Sequence, residues 1–214
     1  MPARFPNEKD FWKPEPLFEG AIVFVIGGGA SLRGFEPECL RGQKIIVVNS
    51  ACRLIPWADV LFYTDTHWFM QQMKIVKEFQ GMRVTVDRRT KGEFPTMVKR
   101  INAIWRPNFR VEFPYTVRQG RSSGHTAIAL AIAMGAKVVV LLGFDLCLID
   151  GKSHFHNDYR VANPQLYERD FAPAFAGWNK DAQEVGVSIL NATPGSALKE
   201  FQMVALSDVL EGRI

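Results

Sequence analysis

The feature that most constrains the fold of this chain is an apolar run that stops at three glycines. The run is Ala-Ile-Val-Phe-Val-Ile at residues 21–26, and Gly27, Gly28 and Gly29 follow it directly. A continuous stretch of β-branched and aromatic residues is typical of a strand buried on both faces of a sheet. The glycines predict that this strand ends in a tight turn.

Similar runs recur along the chain and alternate with segments of helical spacing, a pattern that favours parallel pairing. The predicted fold class is therefore α/β: a Rossmann-like, doubly wound, mainly parallel sheet in a single domain. We predict strands at residues 21–26, 44–48, 58–63, 83–86, 138–142 and 187–190, a short helical crossover at 33–41, and helices at 68–79, 122–134 and 166–185. Residues 87–120, rich in arginine and broken by prolines, predict an irregular basic excursion.

Length and composition fit one domain. A chain of 214 residues, 47% of them hydrophobic, can bury a sizeable core without disulfides or metals. The first residues are polar and interrupted by prolines, and no apolar stretch of signal-peptide type occurs there. We predict an N-terminal extension over residues 1–20 and a Rossmann-like nucleotide-binding domain over residues 21–214.

Charge, hydropathy and cysteine content indicate which partners and which cellular compartment to expect. The formal charge of +4 is spread among mixed acidic and basic residues, so binding to duplex nucleic acid is not expected. The apolar stretches are too short to cross a bilayer. Cys39, Cys52 and Cys147 lack metal-ligand spacing, and their odd number argues against a secreted disulfide framework. We expect a cytoplasmic protein with reduced thiols; an oligomer is possible.

The carboxyl ends of parallel strands are the expected ligand edge, because helix N-termini and free backbone amides collect there. Glycines in the first turn would permit positive φ and let amides approach a phosphate, and a nearby serine would add a hydroxyl donor. A plain strand-to-helix turn is the alternative. The residues predicted at this edge are Gly27, Gly28, Gly29, Ser31, Asn49, Asp65, Gly143 and Asp145.

Two familiar nucleotide-binding motifs are incomplete in this sequence. The dinucleotide fingerprint needs a third glycine where Leu32 stands, and the second strand ends at Asn49 instead of an acidic residue. The tripeptide 151–153, Gly-Lys-Ser, resembles the end of a P-loop, but Leu146 replaces the required glycine. A nicotinamide enzyme and a P-loop enzyme are both disfavoured.

A histidine-containing loop is the best candidate for acid–base chemistry. His154, His156 and Asp158 alternate along the chain, so in an extended loop they would share one face. Either histidine can act as a general base or acid; solvated loop histidines are the alternative, and zinc would need more ligands than His67 and His125 offer. Asp65 and Asp145 can hold Mg²⁺, or simply cap the turns that follow them.

Four ordered segments together resemble a known superfamily. It joins bacterial sialyltransferases that use cytidine-monophosphate sugars, motility-accessory-factor glycosyltransferases and archaeal 6-hydroxymethylpterin pyrophosphokinases, and small phage-encoded proteins look similar. The segments are Ile-Gly-Gly-Gly-Ala-Ser-Leu at 26–32, Val-Asn-Ser at 48–50, Ser-Gly-His-Thr-Ala-Ile-Ala-Leu-Ala at 123–131 with Met-Gly at 134–135, and Leu-Leu-Gly-Phe-Asp at 141–145. A tail of the form GxDL…GxxH, at 143–146 and 151–154, adds to the resemblance.

The resemblance implies roles for particular residues. Residues 28–31 would face the nucleotide phosphate, Asn49 the sugar-phosphate region, and Ser123 and Gly124 the base or ribose, with residues 143 and 145 closing the pocket. His156 or His154 would be the base that deprotonates the acceptor hydroxyl. Tyr159 and Tyr167 lie in the region where the sialyltransferases carry a tyrosine pair that stabilises the leaving phosphate.

Three functions follow as hypotheses. The leading one is a glycosyltransferase-like transferase that uses a nucleotide-activated sugar, with a cytidine-monophosphate sugar favoured, and needs no cofactor. The second is a Mg²⁺-dependent pyrophosphokinase of the hydroxymethylpterin type, with Asp65 or Asp145 as metal ligand. The third is a nucleotide-binding phage accessory protein without turnover.

Overall fold

A parallel sheet organises the chain in a computed structural model, which describes residues 11–86, 98–104, 109 and 116–214. The strands in chain order are β1 (Ile22–Ile26), β2 (Lys44–Val48), β3 (Val60–Tyr63), β4 (Met82–Thr85), β5 (Lys99–Arg100), β6 (Asn102–Ile104), β7 (Thr116–Arg118), β8 (Val138–Leu142), β9 (Ser188–Asn191) and β10 (Gln202–Met203). Within the described residues, the main sheet has eight strands in the order β10-β9-β8-β1-β2-β3-β4-β5, and β6 pairs with β7 in a second sheet. All of these strand pairs are parallel.

Strand β1 lies at the point where the winding of the sheet reverses. From β1 the chain adds β2 to β5 on one side, whereas β8 to β10 lie on the other. Ile26 pairs with Val47 on one side and with Leu142 on the other, so the ends of β1, β2 and β8 are level. A reversal of this kind opens a crevice beyond the strand ends.

Helices cover both faces of the sheet. They are α1 (Thr66–Glu78), α2 (Ser123–Ala133), α3 (Pro164–Leu166), α4 (Trp178–Glu184) and α5 (Leu206–Leu210). Side chains of β1 alternate between two cores: Val23 and Val25 pack with α2 and α4, and Phe24 and Ile26 share the opposite core with α1 and α5. The prediction of a doubly wound α/β fold with a buried β1 is confirmed.

Several predicted elements differ from the structure. The predicted helical crossover at 33–41 is wrong in its extent: within it only Pro37–Leu40 is helical, as a 3₁₀ turn, and Gly34 at φ +69° separates this turn from an earlier one at Ala30–Leu32. The single helix at 166–185 is also wrong. Pro173 lacks the amide that a helix interior needs and Gly177 adopts φ +79°, so the segment breaks into α3, a π-turn, a 3₁₀ turn and α4.

The later strands and the N-terminal segment also differ from, or go beyond, the predictions. The strand near residue 187 is not the last, because β10 follows it. Residues 87–120 were predicted to be irregular, which is wrong where they form β5, β6 and β7. Apart from a few single residues, the rest of this segment lies outside the described residues. The boundary between residues 20 and 21 stays a prediction, although Phe18 is 1% exposed and its amide donates to the carbonyl oxygen of Met134 at 2.8 Å.

Cys39, Cys52 and Cys147 are free. No helix in the described part of the chain is long and apolar enough to span a membrane.

Candidate functional site

A cavity of about 550 Å³ opens at the carboxyl edge of the sheet, beyond the ends of β1, β2, β3 and β8. Its walls come from the turns after β1, β2, β3 and β8, the start of α2, and the loop of residues 153–171. The predicted site residues that line it are Gly27, Gly28, Gly29, Asn49, Asp65, Ser123, Gly124, Gly143, Asp145, His154 and His156. Ser31 is the one predicted site residue that does not line it.

The glycine turn is needed for close approach and not for an unusual backbone angle. None of Gly27, Gly28 and Gly29 has a positive φ, so that expectation is wrong. A Cβ at Gly27 would lie 2.5 Å from the carbonyl oxygen of Gly143, and one at Gly29 would collide with the carboxylate of Asp145. The turn after β1 therefore packs directly on the turn after β8, and side chains are excluded between them.

Most amides of the glycine turn already have partners. The amide of Gly27 donates to Leu142 O at 2.7 Å, and that of Gly29 donates to Gly143 O at 2.9 Å. Ser31 donates to Asp145 through its amide at 2.9 Å and through its hydroxyl. The role of Ser31 as a nucleotide contact stays a prediction, but both of its donors are engaged by a carboxylate of the chain itself.

The carboxylate of Asp145 thus lies beside the glycine turn and accepts the hydrogen bonds of Ser31. It is 2% exposed, and burial raises the pKa of its carboxyl group, while the hydrogen bonds from Ser31 act in the opposite direction. A buried carboxylate with several donors around it fixes the geometry of two strand ends at once. In this structure Asp145 holds the turn after β1 against the turn after β8.

The histidine loop rests directly on the glycine turn. The amide of Phe155 donates to the carbonyl oxygen of Gly28 at 3.1 Å. A Cβ at Gly28 would lie 3.2 Å from the ring of His154 and 3.3 Å from Nε2 of His156. The two histidine rings are 5.1 Å apart between centroids. The side chains that the sequence placed at alternate positions therefore lie together over the glycine turn.

Both histidines are disfavoured as cations. Burial lowers the pKa of His154, and it lowers the pKa of His156 to about 4, where His154 adds to the effect and Asp158 opposes it. Nδ1 of His156 lies 3.6 Å from Oδ2 of Asp158, which is too far for a hydrogen bond. At neutral pH this contact therefore joins a neutral imidazole to a carboxylate and is not an ion pair.

Asn49 and Tyr159 form a polar wall at the end of β2. Asn49 adopts φ +51°, and its amide nitrogen donates to the hydroxyl oxygen of Tyr159 at 3.2 Å. The side-chain oxygen of Asn49 is buried without a protein partner among the described residues. Because the Tyr159 oxygen accepts this bond, its own proton is free to point elsewhere. The ring of Tyr159 also lies 5.2 Å from that of His154.

The start of α2 contributes hydroxyl groups to the opposite wall. Ser123 and Thr64 share a hydrogen bond of 2.6 Å between their hydroxyl oxygens. Gly124 has no room for a side chain, because a Cβ there would lie 2.8 Å from the ring of Phe144. Sequence reasoning missed Thr64, Ser122, Arg121 and Arg160 as lining residues. Thr64 follows β3 immediately, so the strand-end rule that selected Asp65 also applied to it.

The remaining histidines lie outside this cavity lining. His125 is completely buried, stacks on Phe175 at 3.6 Å between centroids and contacts Trp178. Burial lowers the pKa of His125 to about 3, and the charge of Arg118 adds to this. His67 lies near the exposed start of α1, 3.0 Å from the side chain of Gln71. His125 is therefore a core residue, and His67 is a surface residue.

The two carboxylates suggested for Mg²⁺ are both occupied by donors of the chain. Oδ1 of Asp65 accepts the amides of His67 and Trp68 at 2.8 and 3.3 Å, which makes Asp65 the N-cap of α1. Asp145 accepts from Ser31 as described above. Among the residues with described positions, no three His, Cys, Asp or Glu side chains gather in an arrangement that would hold a metal ion.

Comparison with known proteins adds information on the fold. A scan against protein-family models found no match, and neither did a search of curated proteins. The chain is similar to solved structures of the sialyltransferase CstII. For the complex with a trisaccharide acceptor and CMP, the TM-score is 0.53 at 15% identity, with 86% of each chain covered. For the Campylobacter jejuni enzyme with CMP, it is 0.50 at 15% identity, over 87% of this chain and 86% of that one. The chain therefore shares a Rossmann-like fold with these structures.

Proposed function

We propose that the chain is a glycosyltransferase-like enzyme that transfers a sugar from a nucleotide-activated donor to a hydroxyl acceptor, with a cytidine-monophosphate sugar as the favoured donor. The observation that carries this proposal is the contact between Phe155 and Gly28, which joins the histidine loop to the glycine turn in one cavity. The similarity in fold to a CstII structure solved with CMP and an acceptor supports the choice of donor class.

The proposed reaction is a single displacement. The acceptor hydroxyl attacks the anomeric carbon, its proton passes to a neutral imidazole of His154 or His156, and the bond from the anomeric carbon to the phosphate oxygen breaks. The electrons leave on the nucleotide phosphate. A neutral imidazole is the form able to accept a proton, and burial keeps both rings in that form at neutral pH. No cofactor takes part in this scheme.

The nucleotide is assigned to the walls of the same cavity. Gly28 borders the space beneath the histidines, Asn49 and Tyr159 offer amide and phenol groups, and Ser123 and Gly124 line the side formed by α2. Gly27, Gly29 and Gly143 shape the floor, since close packing there excludes side chains. In this scheme Asp145 and Ser31 support the floor, and Asp65 fixes the start of α1.

A thermal-shift screen of the full chain tests the nucleotide site. At a ligand concentration of about 100 times Kd, binding to the folded state adds about 2.7 kcal/mol, which raises Tm by about 5–10 °C for a chain of this size. CMP, a cytidine-monophosphate sugar, other nucleotides and ATP are compared with and without Mg²⁺. We expect the largest shift with the cytidine ligands, and no shift with any nucleotide would refute the site.

An assay of CMP release then tests transfer. The full chain is incubated with a cytidine-monophosphate sugar and a panel of sugar acceptors, and CMP and the new glycoside are measured. Acceptor-dependent CMP release supports the proposal. Mg²⁺-dependent transfer of diphosphate from ATP would instead identify a pyrophosphokinase, and nucleotide binding without any product would identify a binding protein without turnover.

A further inference from the structure

The two ring nitrogens of His156 have different surroundings. The backbone amide of Asp158 donates a hydrogen bond to Nδ1 of His156 at 3.2 Å. A backbone N–H can only donate, so Nδ1 has to present its lone pair to it. In a neutral imidazole the proton then resides on Nε2, because the hydrogen bond made by one nitrogen determines the tautomer.

Asp158 is held firmly in the position that imposes this tautomer. Its carboxylate accepts from Arg53 at 2.8 Å and from the hydroxyl of Ser50. The indole of Trp68 in turn donates to the Ser50 oxygen at 2.8 Å in a buried contact. Burial alone would raise the pKa of Asp158, but the bonds from Ser50 and Arg53 outweigh burial and lower it. The carboxylate therefore stays ionised and anchored.

Nε2 of His156 faces the glycine turn. It lies 3.3 Å from the position that a Cβ of Gly28 would take, at the floor of the cavity. Among the described residues, no protein acceptor lies within hydrogen-bond distance of Nε2. An N–H group thus points at the space where the nucleotide phosphate is proposed to sit.

His154 is not restricted in the same way. Its Nδ1 lies 2.9 Å from the hydroxyl oxygen of Ser153, which is able to donate or accept. The Ser153 oxygen also accepts the amide of Ala162 at 3.2 Å. When His154 donates from Nδ1 to Ser153, its Nε2 carries the lone pair that a general base needs.

We propose that the two histidines have opposite roles: His156 donates a hydrogen bond from Nε2 to the leaving phosphate, and His154 is the general base. This division of labour rests on the transfer reaction proposed above. The acceptor proton moves to Nε2 of His154 as the new glycosidic bond forms. The bond between the anomeric carbon and the phosphate oxygen breaks, and the charge on that oxygen is stabilised by the N–H of His156 without proton transfer.

The tautomer can be measured without any activity. Long-range proton–nitrogen correlation spectra of the ¹⁵N-labelled full chain at neutral pH report which ring nitrogen carries the proton, and the His156→Gln spectrum identifies the His156 signals. We expect a pyridine-type Nδ1 and a protonated Nε2 whose signal moves when CMP or inorganic phosphate is added. A proton on Nδ1, or an Nε2 signal unaffected by bound CMP, would overturn the proposed role.

Glutamine variants separate donor from base in the transfer reaction. Glutamine keeps an N–H near the Nε2 position but accepts no proton at neutral pH. Loss of one hydrogen-bond donor to a developing oxyanion lowers kcat by about 10² to 10³, so the kcat of His156→Ala is expected to be lower than that of wild type by this factor. The kcat of His156→Gln is expected to be close to that of wild type, because glutamine restores the donor. His154→Gln is expected to lose about 10² to 10⁴, because the base is gone.

His67→Gln serves as the matched control, since His67 lies on the surface of α1 outside the described cavity lining. If His156→Gln is as inactive as His156→Ala while His154→Gln is active, the roles are reversed and the inference is wrong. Failure of the proposed function is recognisable separately: wild-type protein would then show no transfer, while the Nε2 proton and its response to phosphate would still be measured.

Discussion

Acidification tests the burial of two histidines, and its effect on stability follows from their pKa values. In the folded chain the pKa of His125 is about 3 and that of His156 about 4, whereas an unfolded histidine titrates near its ordinary value of about 6.5. Between these values the unfolded chain binds more protons than the folded one. Stability therefore falls as pH decreases below about 6.5.

The expected magnitude is substantial. For each histidine, the proton linkage at about pH 5 destabilises the fold by about 2 kcal/mol relative to about pH 8. A destabilisation of this size is expected because both side chains are removed from solvent. His125 is completely buried against Phe175 and Trp178, and the side chain of His156 is only 6% exposed. For His125 the loss continues toward its folded pKa and approaches about 5 kcal/mol.

Urea unfolding of the full chain at these two pH values measures this effect. His125→Phe removes the titrating group and keeps a ring in the stack, so its loss of stability on acidification should be smaller than that of wild type by about 2 kcal/mol. The buried carboxyl of Asp145, with its raised pKa, acts in the opposite direction but is common to both proteins. Equal losses in wild type and His125→Phe would refute the reasoning.

Two glycines of the β1 turn should respond differently to substitution. Gly28→Val should weaken CMP binding by about tenfold or more in a titration, because its side chain would fill the space between the turn and the histidines; unchanged affinity would place the nucleotide elsewhere. Gly29→Ala should lower stability in urea by about 1–3 kcal/mol, since its Cβ would meet the buried Asp145 carboxylate and Gly143 O. Gly28→Ala is its control: its nearest neighbour is a histidine ring at 3.2 Å, so a loss as large as that of Gly29→Ala would contradict this account.

The sequence predicted the sheet well because local composition reports burial directly. The apolar runs that form β1, β2 and β8 were located within one residue, since a strand covered on both faces has to be apolar throughout. The prediction of one helix over 166–185 was wrong because local spacing does not report backbone breaks. Its apolar spacing suited a helix, but Pro173 and Gly177 dominate the local backbone and divide the segment into short turns and α4.

The edge of the sheet where the cavity opens was also predictable from topology alone. Parallel strands place their carboxyl ends together, and this rule was enough to select Gly27, Asn49, Asp65 and Gly143 as residues of one edge. The alternating histidines followed from the period of an extended chain. Neither rule indicates which polar groups remain free, because that depends on contacts between segments far apart in sequence.

The sequence by itself therefore determined the fold class, the sheet edge where a cavity forms and the residue types that surround it. Only the tertiary structure decided how those groups are used. Ser31 offers its amide and hydroxyl to Asp145, a residue 114 positions away, and these donors are therefore engaged before any ligand arrives. The proton of His156 is directed to Nε2 because Asp158, anchored by Ser50 and Arg53, presents its amide to Nδ1. A hydrogen-bond donor can satisfy an acceptor anywhere in the chain, and only the folded arrangement selects its partner.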